Sequence, residues 1–306
     1  IFDAYECLEK RGEGAFGKVM TVHYQQSRAA KSITLRTKEQ LKLVEMEINL
    51  MKQLDHPNIL KIYEAEKKPA IYLILELCNG GSIFERLVYH KKTLQRPMSE
   101  RQSAGYCKQL LNACAYLHKF NIVHRDLKPD NLLFMTRKSD SVLKIIDFGL
   151  ADYVTNIHAS SSSSTTRRRQ FPKAGTPHYM APEDALSIWG GGIFPLNTCG
   201  VILCQMLSGE HPFFTPGRDT AKSSKQRILS SAPVLEEKIW KNISKKALDL
   251  VKKLLEKNPD RRLSAKEALK HPWFAEIDRQ NADILAKTTS STSSSSANNN
   301  KTTSGS

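Results

Sequence analysis

The sequence predicts an α+β fold with two lobes: a small β-rich N-terminal lobe with one main helix, and a larger, mostly helical C-terminal lobe. Short runs rich in β-branched and aromatic residues dominate residues 1–78, whereas apolar residues at helical spacing dominate residues 79–280. Asn-Gly-Gly at 79–81 separates the two patterns as a flexible break. We therefore place the lobe boundary there and the folded domain at residues 1–286.

The N-terminal lobe is predicted to begin with strands around a glycine-rich turn at 12–17, GEGAFG, followed by the strand-like segments VMTVHY and AAKSITL. A helix is predicted over 37–54, because apolar side chains recur at helical spacing and Thr37 with Gln40 forms a capping-box pattern. Pro57 cannot continue that helix. The segments KIYEAE and AIYLILEL then predict two further strands.

The C-terminal lobe is predicted to contain a helix over about 100–118, capped by Ser99. The further elements predicted are a short strand at 142–147, helices at 201–207 and 244–257, and a turn, helix and aromatic plug at 258–274. From Lys287 the chain is mainly Ser, Thr and Asn. It has almost no apolar side chains to bury, which predicts a disordered tail over 287–306.

The chain is basic, with 46 Lys and Arg against 31 Asp and Glu and a formal net charge of +15. Such a balance suits acidic partners such as nucleotides, nucleic acids or membrane surfaces. The basic residues are scattered, without a periodic stripe or an RNA-type aromatic motif, so we favour a solvated basic surface and expect no nucleic-acid partner. The apolar runs are too short to span a bilayer, and no membrane span is expected.

Six cysteines occur without a C-x-x-C pair, several of them in apolar helical patterns, which predicts buried reduced thiols. Reduced thiols and the lack of a signal peptide favour a cytoplasmic, intracellular location. No D-x-D-x-D-G loop is found, so no calcium-binding module is expected in this chain.

Two motifs of the N-terminal lobe indicate phosphate binding. GEGAFGKV at 12–19 fits G-x-G-x-x-G-x-V, in which glycines let a backbone approach phosphates closely. Alone, such a match is most often a turn without a ligand, and the strand-like segment after it argues against a dinucleotide fold. Lys31 lies within the next apolar strand, and Glu47 on the following helix could hold its ammonium group in place.

Three motifs of the C-terminal lobe place charged residues beside apolar runs: HRDLKPDN at 124–131, IIDFGL at 145–150 and GTPHYMAPE at 175–183. Charged groups are costly to bury without partners. An ordinary loop would lack the apolar flanks, and an ordinary buried strand would lack the charges. The first motif therefore predicts a loop that is charged toward a ligand and apolar toward the core.

With these five motifs in this order, residues 5–275 resemble the eukaryotic-type protein kinase family. The segments LDHPNI, GGSIF, GVILCQMLSG and RRLSAKEALKHPWF are most similar to the calcium/calmodulin-dependent and calcium-dependent protein kinase branch. The resemblance implies the bilobal protein kinase fold and a serine/threonine protein kinase. Such an enzyme transfers the γ-phosphoryl group of MgATP to Ser and Thr hydroxyls of protein substrates in signal transduction.

The resemblance also implies roles for individual residues, with ATP and Mg²⁺ as cofactors. Asp126 accepts or orients the proton of the attacking hydroxyl, and Lys128 steadies the transferring phosphoryl group. Asn131 and Asp147 hold Mg²⁺. Lys31 is expected to bind the α and β phosphates and to be held in place by Glu47. Val19 and Ala29 are expected above the adenine and Leu133 below it. The remaining expected nucleotide contacts are Leu75 as the gatekeeper with Glu76 and Cys78 at the hinge, and, in the glycine-rich loop, Arg11, Gly12, Glu13, Gly14, Ala15, Phe16, Gly17 and Lys18.

Other residues have structural interpretations by the same resemblance. His124 and Phe148 are expected to pack in a stack of apolar side chains. Thr176 either orients the catalytic loop or closes a turn. Glu183 is expected to pair with Arg262.

Few residues of the sequence indicate how the protein is regulated or which substrates it prefers. Arg125 precedes Asp126, an arrangement often used to bind a phosphate on the activation loop. The position that usually accepts this phosphate is occupied by Pro172, which has no hydroxyl. The Ser/Thr run at 160–166, followed by three arginines, is either an alternative phosphorylation segment or a disordered insert.

Basic-site relatives commonly carry an acid just after the hinge glycines, where this chain has Ser82. Glu85 and Asp130 remain as anchors for a substrate Arg, which predicts a mildly basic substrate motif. His178 is assigned no chemistry.

One segment departs from the family pattern. Pro195 stands where the family has an Asp that accepts hydrogen bonds from the catalytic-loop backbone, and Asn197 and Thr198 replace the family's Trp-Ser pair. Proline is tolerated at a helix start, so the following helix is expected to survive. The alternative to an active, slowed kinase is a catalytically impaired pseudokinase that acts as a nucleotide-binding scaffold.

We predict that Pro195→Asp raises the melting temperature, because the restored carboxylate would pair buried donors whose desolvation costs about 1–3 kcal/mol. Thermal unfolding of the two proteins measures this. An unchanged or lower melting temperature would contradict the assignment of this position.

Overall fold

The computed structural model describes residues 5–14, 17–24, 26–35, 37–68, 70–153, 176–183 and 196–296. Pro195, Pro172 and the segment 160–166 lie outside the described residues. A five-stranded antiparallel sheet with one helix forms the N-terminal part, and a mostly helical region follows it. This confirms the predicted bilobal α+β architecture.

The N-terminal sheet positions the first candidate ligand-binding residues. Its strand order is β1-β2-β3-β5-β4. The strands are β1 (Glu6–Gly14), β2 (Gly17–Tyr24), β3 (Gln26–Ile33), β4 (Ile62–Lys68) and β5 (Ala70–Leu75). In the register, Val19 pairs with Lys31, and Ala29 pairs with Leu75. Side chains two residues apart share one face of a strand. Ala29 and Lys31 therefore lie on the same face of β3.

Helix α1 (Lys38–Gln53) packs beside this sheet, as its apolar spacing predicts. The Thr37 hydroxyl accepts a hydrogen bond from the Gln40 amide at 3.2 Å, which caps the helix start. Ile48 and Met51 are buried on the inner face. Glu47 is thereby carried on a rigid element that faces the sheet and the second lobe.

In the described part of the second lobe lie most of the helices and four short strands. Its helices are α2 (Ile83–Tyr89), continued by a π-helical turn (His90–Leu94), then α3 (Glu100–Lys119), α4 (Asn197–Ser208), α5 (Ala221–Ser230), α6 (Glu237–Trp240), α7 (Lys245–Leu254), α8 (Ala265–Leu269) and α9 (Pro272–Ser296). Its strands are β6 (Ile122–Val123), β7 (Leu132–Phe134), β8 (Leu143–Ile145) and β9 (Asp152–Tyr153). Among the described residues, none of the helices combines the length and hydrophobicity that crossing a bilayer requires.

Helix α4 is the buried centre of this lobe and packs against α3 and α7. Gly200 allows the close approach, because a Cβ there would lie 2.9 Å from Leu254 Cβ and 2.9 Å from a methyl of Leu255. The helix begins one residue after Leu196, without a side-chain cap. The segment therefore forms its helix despite the unusual residues that precede it.

Helix α9 extends to Ser296. The disordered tail predicted from Lys287 stays a prediction. Residues 297–306 lie outside the described range. All six cysteines are free thiols, as predicted, but Cys7 is exposed because it lies on edge strand β1.

The predicted pair of Glu183 with Arg262 is confirmed, with two hydrogen bonds of 2.5 and 2.9 Å between guanidinium and carboxylate. The side chains are only 1% and 10% exposed for Arg262 and Glu183. We predict that Arg262→Met lowers the free energy of unfolding by about 3–5 kcal/mol, because it leaves a buried carboxylate unpaired. Chemical denaturation measures this.

The control is Lys67→Met, which removes the exposed ion pair of Lys67 with Glu45. It should cost less than about 1 kcal/mol. Equal losses in the two variants would contradict the structural importance of the buried pair.

Candidate active site

The loop that joins β6 to β7 is anchored by a buried histidine. His124 Nδ1 accepts a hydrogen bond from the Asp126 amide at 3.3 Å, so its Nε2 carries the proton and donates to the Ile146 carbonyl at 2.9 Å. Burial is the main cause that lowers the pKa of His124, which keeps the ring neutral. Its ring packs edge-on against Phe148 with centroids 4.8 Å apart, the contact predicted for these two residues. The buried His124 ring thereby fixes the backbone of the loop on the side that faces the core.

The Asp126 carboxylate receives hydrogen bonds on both oxygens. Lys128 Nζ lies 2.7 Å and Asn131 Nδ2 lies 3.1 Å from Oδ2. The Thr176 amide and hydroxyl donate to Oδ1 at 3.0 and 2.9 Å. Lys128 Nζ also lies 3.1 Å from the Thr176 hydroxyl, which closes a small network. Of the two interpretations of Thr176, the geometry favours the one in which it orients the loop.

Glu47, Lys31 and Asp147 form a second group of charges. Burial raises the pKa of Glu47; the nearby Lys31 ammonium opposes this rise, and the Asp147 carboxylate adds to it. A Cβ at Gly149 would lie 3.4 Å from Asp147 Oδ1 and 3.5 Å from Glu47 Oε2, so both carboxylates flank that glycine. Asp147 has a positive φ of 63°, a backbone conformation that is uncommon outside glycine.

The two groups meet where Asn131 approaches Asp147. The Ile146 amide, one residue before Asp147, donates to the Asn131 carbonyl at 3.0 Å. Asn131 Nδ2 is used by Asp126, so its amide oxygen remains for a cation. No cluster of three or more His, Cys, Asp or Glu suited to a metal occurs in the described part of the chain. One carboxylate and one amide oxygen fit Mg²⁺, which commonly keeps waters and takes phosphate ligands.

A cleft of about 720 Å³ lies between the two lobes above these groups. The predicted residues that line it are Arg11, Val19, Ala29, Lys31, Glu47, Leu75, Glu76, Cys78, Leu133 and Asp147. The other lining residues were not predicted as nucleotide contacts; they are Met51, Leu60, Leu73, Leu77, Asn79, Gly80, Gly81, Glu85, Arg137 and Ile146. Mostly apolar walls with a few charged groups at one end suit a nucleotide, with its base against the walls and its phosphates at the charges.

The glycine-rich loop is only partly described. Gly12 to Gly14 end strand β1, and Gly17 and Lys18 begin strand β2, with Glu13 paired to Lys18 and Gly14 paired to Gly17. Ala15 and Phe16, both predicted nucleotide contacts, lie outside the described residues.

The segment that joins the lobes carries an ion pair that the sequence analysis missed. Lys144 Nζ lies 2.7 Å from Glu76 Oε2, with side chains only 8% and 15% exposed. Burial raises the pKa of Cys78 to about 12, so its thiol is protonated. Among the described residues, no hydrogen bond uses the Cys78 backbone amide or carbonyl, which leaves both open to a bound base. The segment VLKIID at 142–147 predicts a strand, but its residue pattern does not indicate that the Lys144 side chain is buried.

Comparison with known proteins agrees with this geometry. The model of the protein kinase domain family matches residues 5–274. Calcium-dependent protein kinase 3 of Plasmodium berghei (strain Anka) is 35% identical over 274 residues, which cover 87% of this chain and 46% of that protein. Calcium/calmodulin-dependent protein kinase type 1B of Rattus norvegicus is 33% identical over 296 residues, which cover 94% of this chain and 80% of that protein.

The chain thus spans about half the length of the Plasmodium relative that it matches. The similarity to calcium-dependent and calcium/calmodulin-dependent kinases agrees with the branch that the sequence motifs resemble. The family model covers nearly all of both lobes, including the Asp126 loop and the cleft. The chain belongs to the protein kinase domain family.

Proposed function

We propose that this chain is an active serine/threonine protein kinase that transfers the γ-phosphoryl group of MgATP to Ser and Thr hydroxyls of protein substrates. The observation that carries the proposal is the Asp126 network beside the interlobe cleft. An oriented carboxylate lies 2.7 Å from the Lys128 ammonium and 3.1 Å from Asn131 Nδ2, and the Asn131 carbonyl accepts from the amide of the residue before Asp147. Phosphoryl transfer depends mainly on such positioning and on charge stabilisation.

Each charged group has a defined task in this proposal. Asp126 orients the attacking hydroxyl and takes its proton, while the Lys128 ammonium stabilises charge on the transferring phosphoryl group. Lys31 holds the α and β phosphates and is itself positioned by Glu47. Bound Mg²⁺ at Asn131 and Asp147 supplies positive charge that offsets the charge of the triphosphate.

The proposed substrate motif follows from the acidic residues near the Asp126 loop. Glu85 caps helix α2 by accepting from the Ser82 amide at 3.2 Å, so its carboxylate is already engaged. Asp130, which is exposed, remains as the anchor for a mildly basic substrate motif.

The free cysteines support an intracellular location, where a signalling kinase would find ATP. Nothing in the comparisons favours the scaffold alternative.

Transfer of radiolabelled phosphate from ATP to a generic basic peptide tests the proposed function. We expect turnover well above that of an Asp126→Ala variant, which lacks the proton acceptor. Turnover no better than that control would reject the proposal in favour of the scaffold.

We predict that Thr176→Val lowers kcat about ten- to hundredfold, with little change in KM for ATP. The variant loses the hydroxyl that donates to Asp126 Oδ1 and lies beside Lys128, and a hydrogen bond to a charged group contributes about 1.5–3 kcal/mol. Steady-state kinetics measure both constants.

Thr176→Ser is the matched control, because it keeps the hydroxyl and should retain most of kcat. A Ser variant as impaired as the Val variant would show that the methyl group, and not the hydrogen bond, matters.

A further inference from the structure

The segment that joins the lobes, residues 76–81, is fixed at its N-terminal end by Glu76. The Glu76 amide donates to the Lys61 carbonyl at 2.9 Å, and the Lys61 amide donates to Glu76 Oε2 at 3.3 Å. The same carboxylate oxygen lies 2.7 Å from Lys144 Nζ. Glu76 is therefore held from two sides, by the residue that precedes β4 and by the middle residue of β8.

The C-terminal end of this segment is fixed by strand β7 and the residue after it. The Asn79 amide donates to the Met135 carbonyl at 3.1 Å. The Gly80 amide donates to the Phe134 carbonyl at 2.8 Å, and the Phe134 amide donates to the Gly81 carbonyl at 2.8 Å. A Cβ at Gly80 would lie 2.5 Å from Phe134 Cβ, so a glycine is needed for the segment to lie this close to β7.

The backbone between these two ends borders the interlobe cleft. Leu77 and Cys78 both line that cleft, and the amide and carbonyl of Cys78 are open to a ligand. The edge of adenine carries both a hydrogen-bond donor and an acceptor, which suits such a pair of backbone groups. Because hydrogen bonds weaken steeply when they are misaligned, the direction of this backbone determines how well it binds a base.

Lys144 connects the two fixed ends. It is paired in register with Leu133 of β7, and its ammonium reaches Glu76. The contacts therefore form a closed path that runs from Glu76 through Cys78 to β7, across to β8, and back through the Lys144 side chain. Both Cys78 and Leu133, which is predicted to lie below the adenine, are part of this path.

The stability of the fold does not by itself account for a buried ion pair at this position. The side chains of Lys144 and Glu76 are almost completely removed from water. The cost of desolvating two charges offsets most of their attraction, so apolar side chains of similar volume would stabilise the fold about as well. The ion pair differs from such a pair in that it also fixes the Glu76 side chain in one direction.

We propose that Lys144 is a positioning residue for the nucleotide base: through Glu76, it orients the backbone of residues 76–78 so that the amide and carbonyl of Cys78 meet the edge of adenine. Lys144 is not among the described residues that line the cleft, so it acts through Glu76 and not by touching the nucleotide. The inference rests on the proposed kinase function and concerns the base end of the same site.

Calorimetric titration with adenosine tests this, because adenosine has the base without the phosphates. The variant is Glu76→Met/Lys144→Met, which keeps the side-chain volume. Unlike Lys144→Met alone, it leaves no buried carboxylate unpaired, so it should fold. We expect the Kd for adenosine to rise about three- to tenfold, the effect of losing about one hydrogen bond.

Steady-state kinetics give a second readout, which a general distortion of the site would change differently. In the same variant, KM for ATP should rise by about the same factor as the Kd for adenosine. At saturating ATP, kcat should stay within about twofold of the unaltered protein, because Asp126 and Lys128 are not altered.

Glu183→Met/Arg262→Met is the matched control. It replaces another buried ion pair with the same two side chains, and neither residue lines the cleft. Thermal unfolding is recorded first, and all titrations are made at a temperature at which each protein is folded. The control should bind adenosine with the Kd of the unaltered protein, whatever its melting temperature.

Three outcomes would overturn the inference. They are an unchanged Kd for adenosine in Glu76→Met/Lys144→Met, an equal rise in the control, and a fall in kcat without a rise in KM for ATP. In each case, phosphate transfer by the unaltered protein would leave the kinase assignment intact. If the unaltered protein bound no adenosine and transferred no phosphate, the proposed function would fail, and the inference with it.

Discussion

The hydrogen-bonded carboxylate of Asp126 is the constraint on which the site depends. Its two oxygens are held by groups from two separate parts of the chain: the loop that contains Lys128 and Asn131, and the segment that begins at Thr176. Such convergence needs a rigid base, which the buried strands β6 and β7 and the neutral ring of His124 provide. The buried apolar strands on either side of this charged loop thus fix the positions of its side chains.

A second constraint joins the lobes. The buried ion pair of Glu76 with Lys144 ties the segment between the lobes to strand β8, and β8 leads directly to Asp147. The Lys61 amide adds a hydrogen bond of 3.3 Å to the same carboxylate. Because a buried ion pair is costly to separate, this pair fixes the lobe junction relative to the strand that precedes the residue proposed to hold the metal.

Sequence reasoning located most of the fold and of the candidate site, because both depend on local patterns. The cap at Thr37 and the helical spacing after it place α1, and short glycine and charge motifs place the residues around the cleft. What it missed depends on tertiary contacts. Lys144 in an apolar strand and Arg137 at the cleft have no local signature.

The protonated thiol at the lobe junction has a consequence for reactivity. Because burial raises the pKa of Cys78 to about 12, its thiol stays protonated at neutral pH. Peroxides and alkylating compounds attack thiolates, so this sulfur is protected although it borders the interlobe cleft. The exposed Cys7 on the outer strand is accessible to such reagents instead. Thiol oxidation would thus reach Cys7 at the edge of the small lobe before it reaches Cys78 in the interlobe cleft.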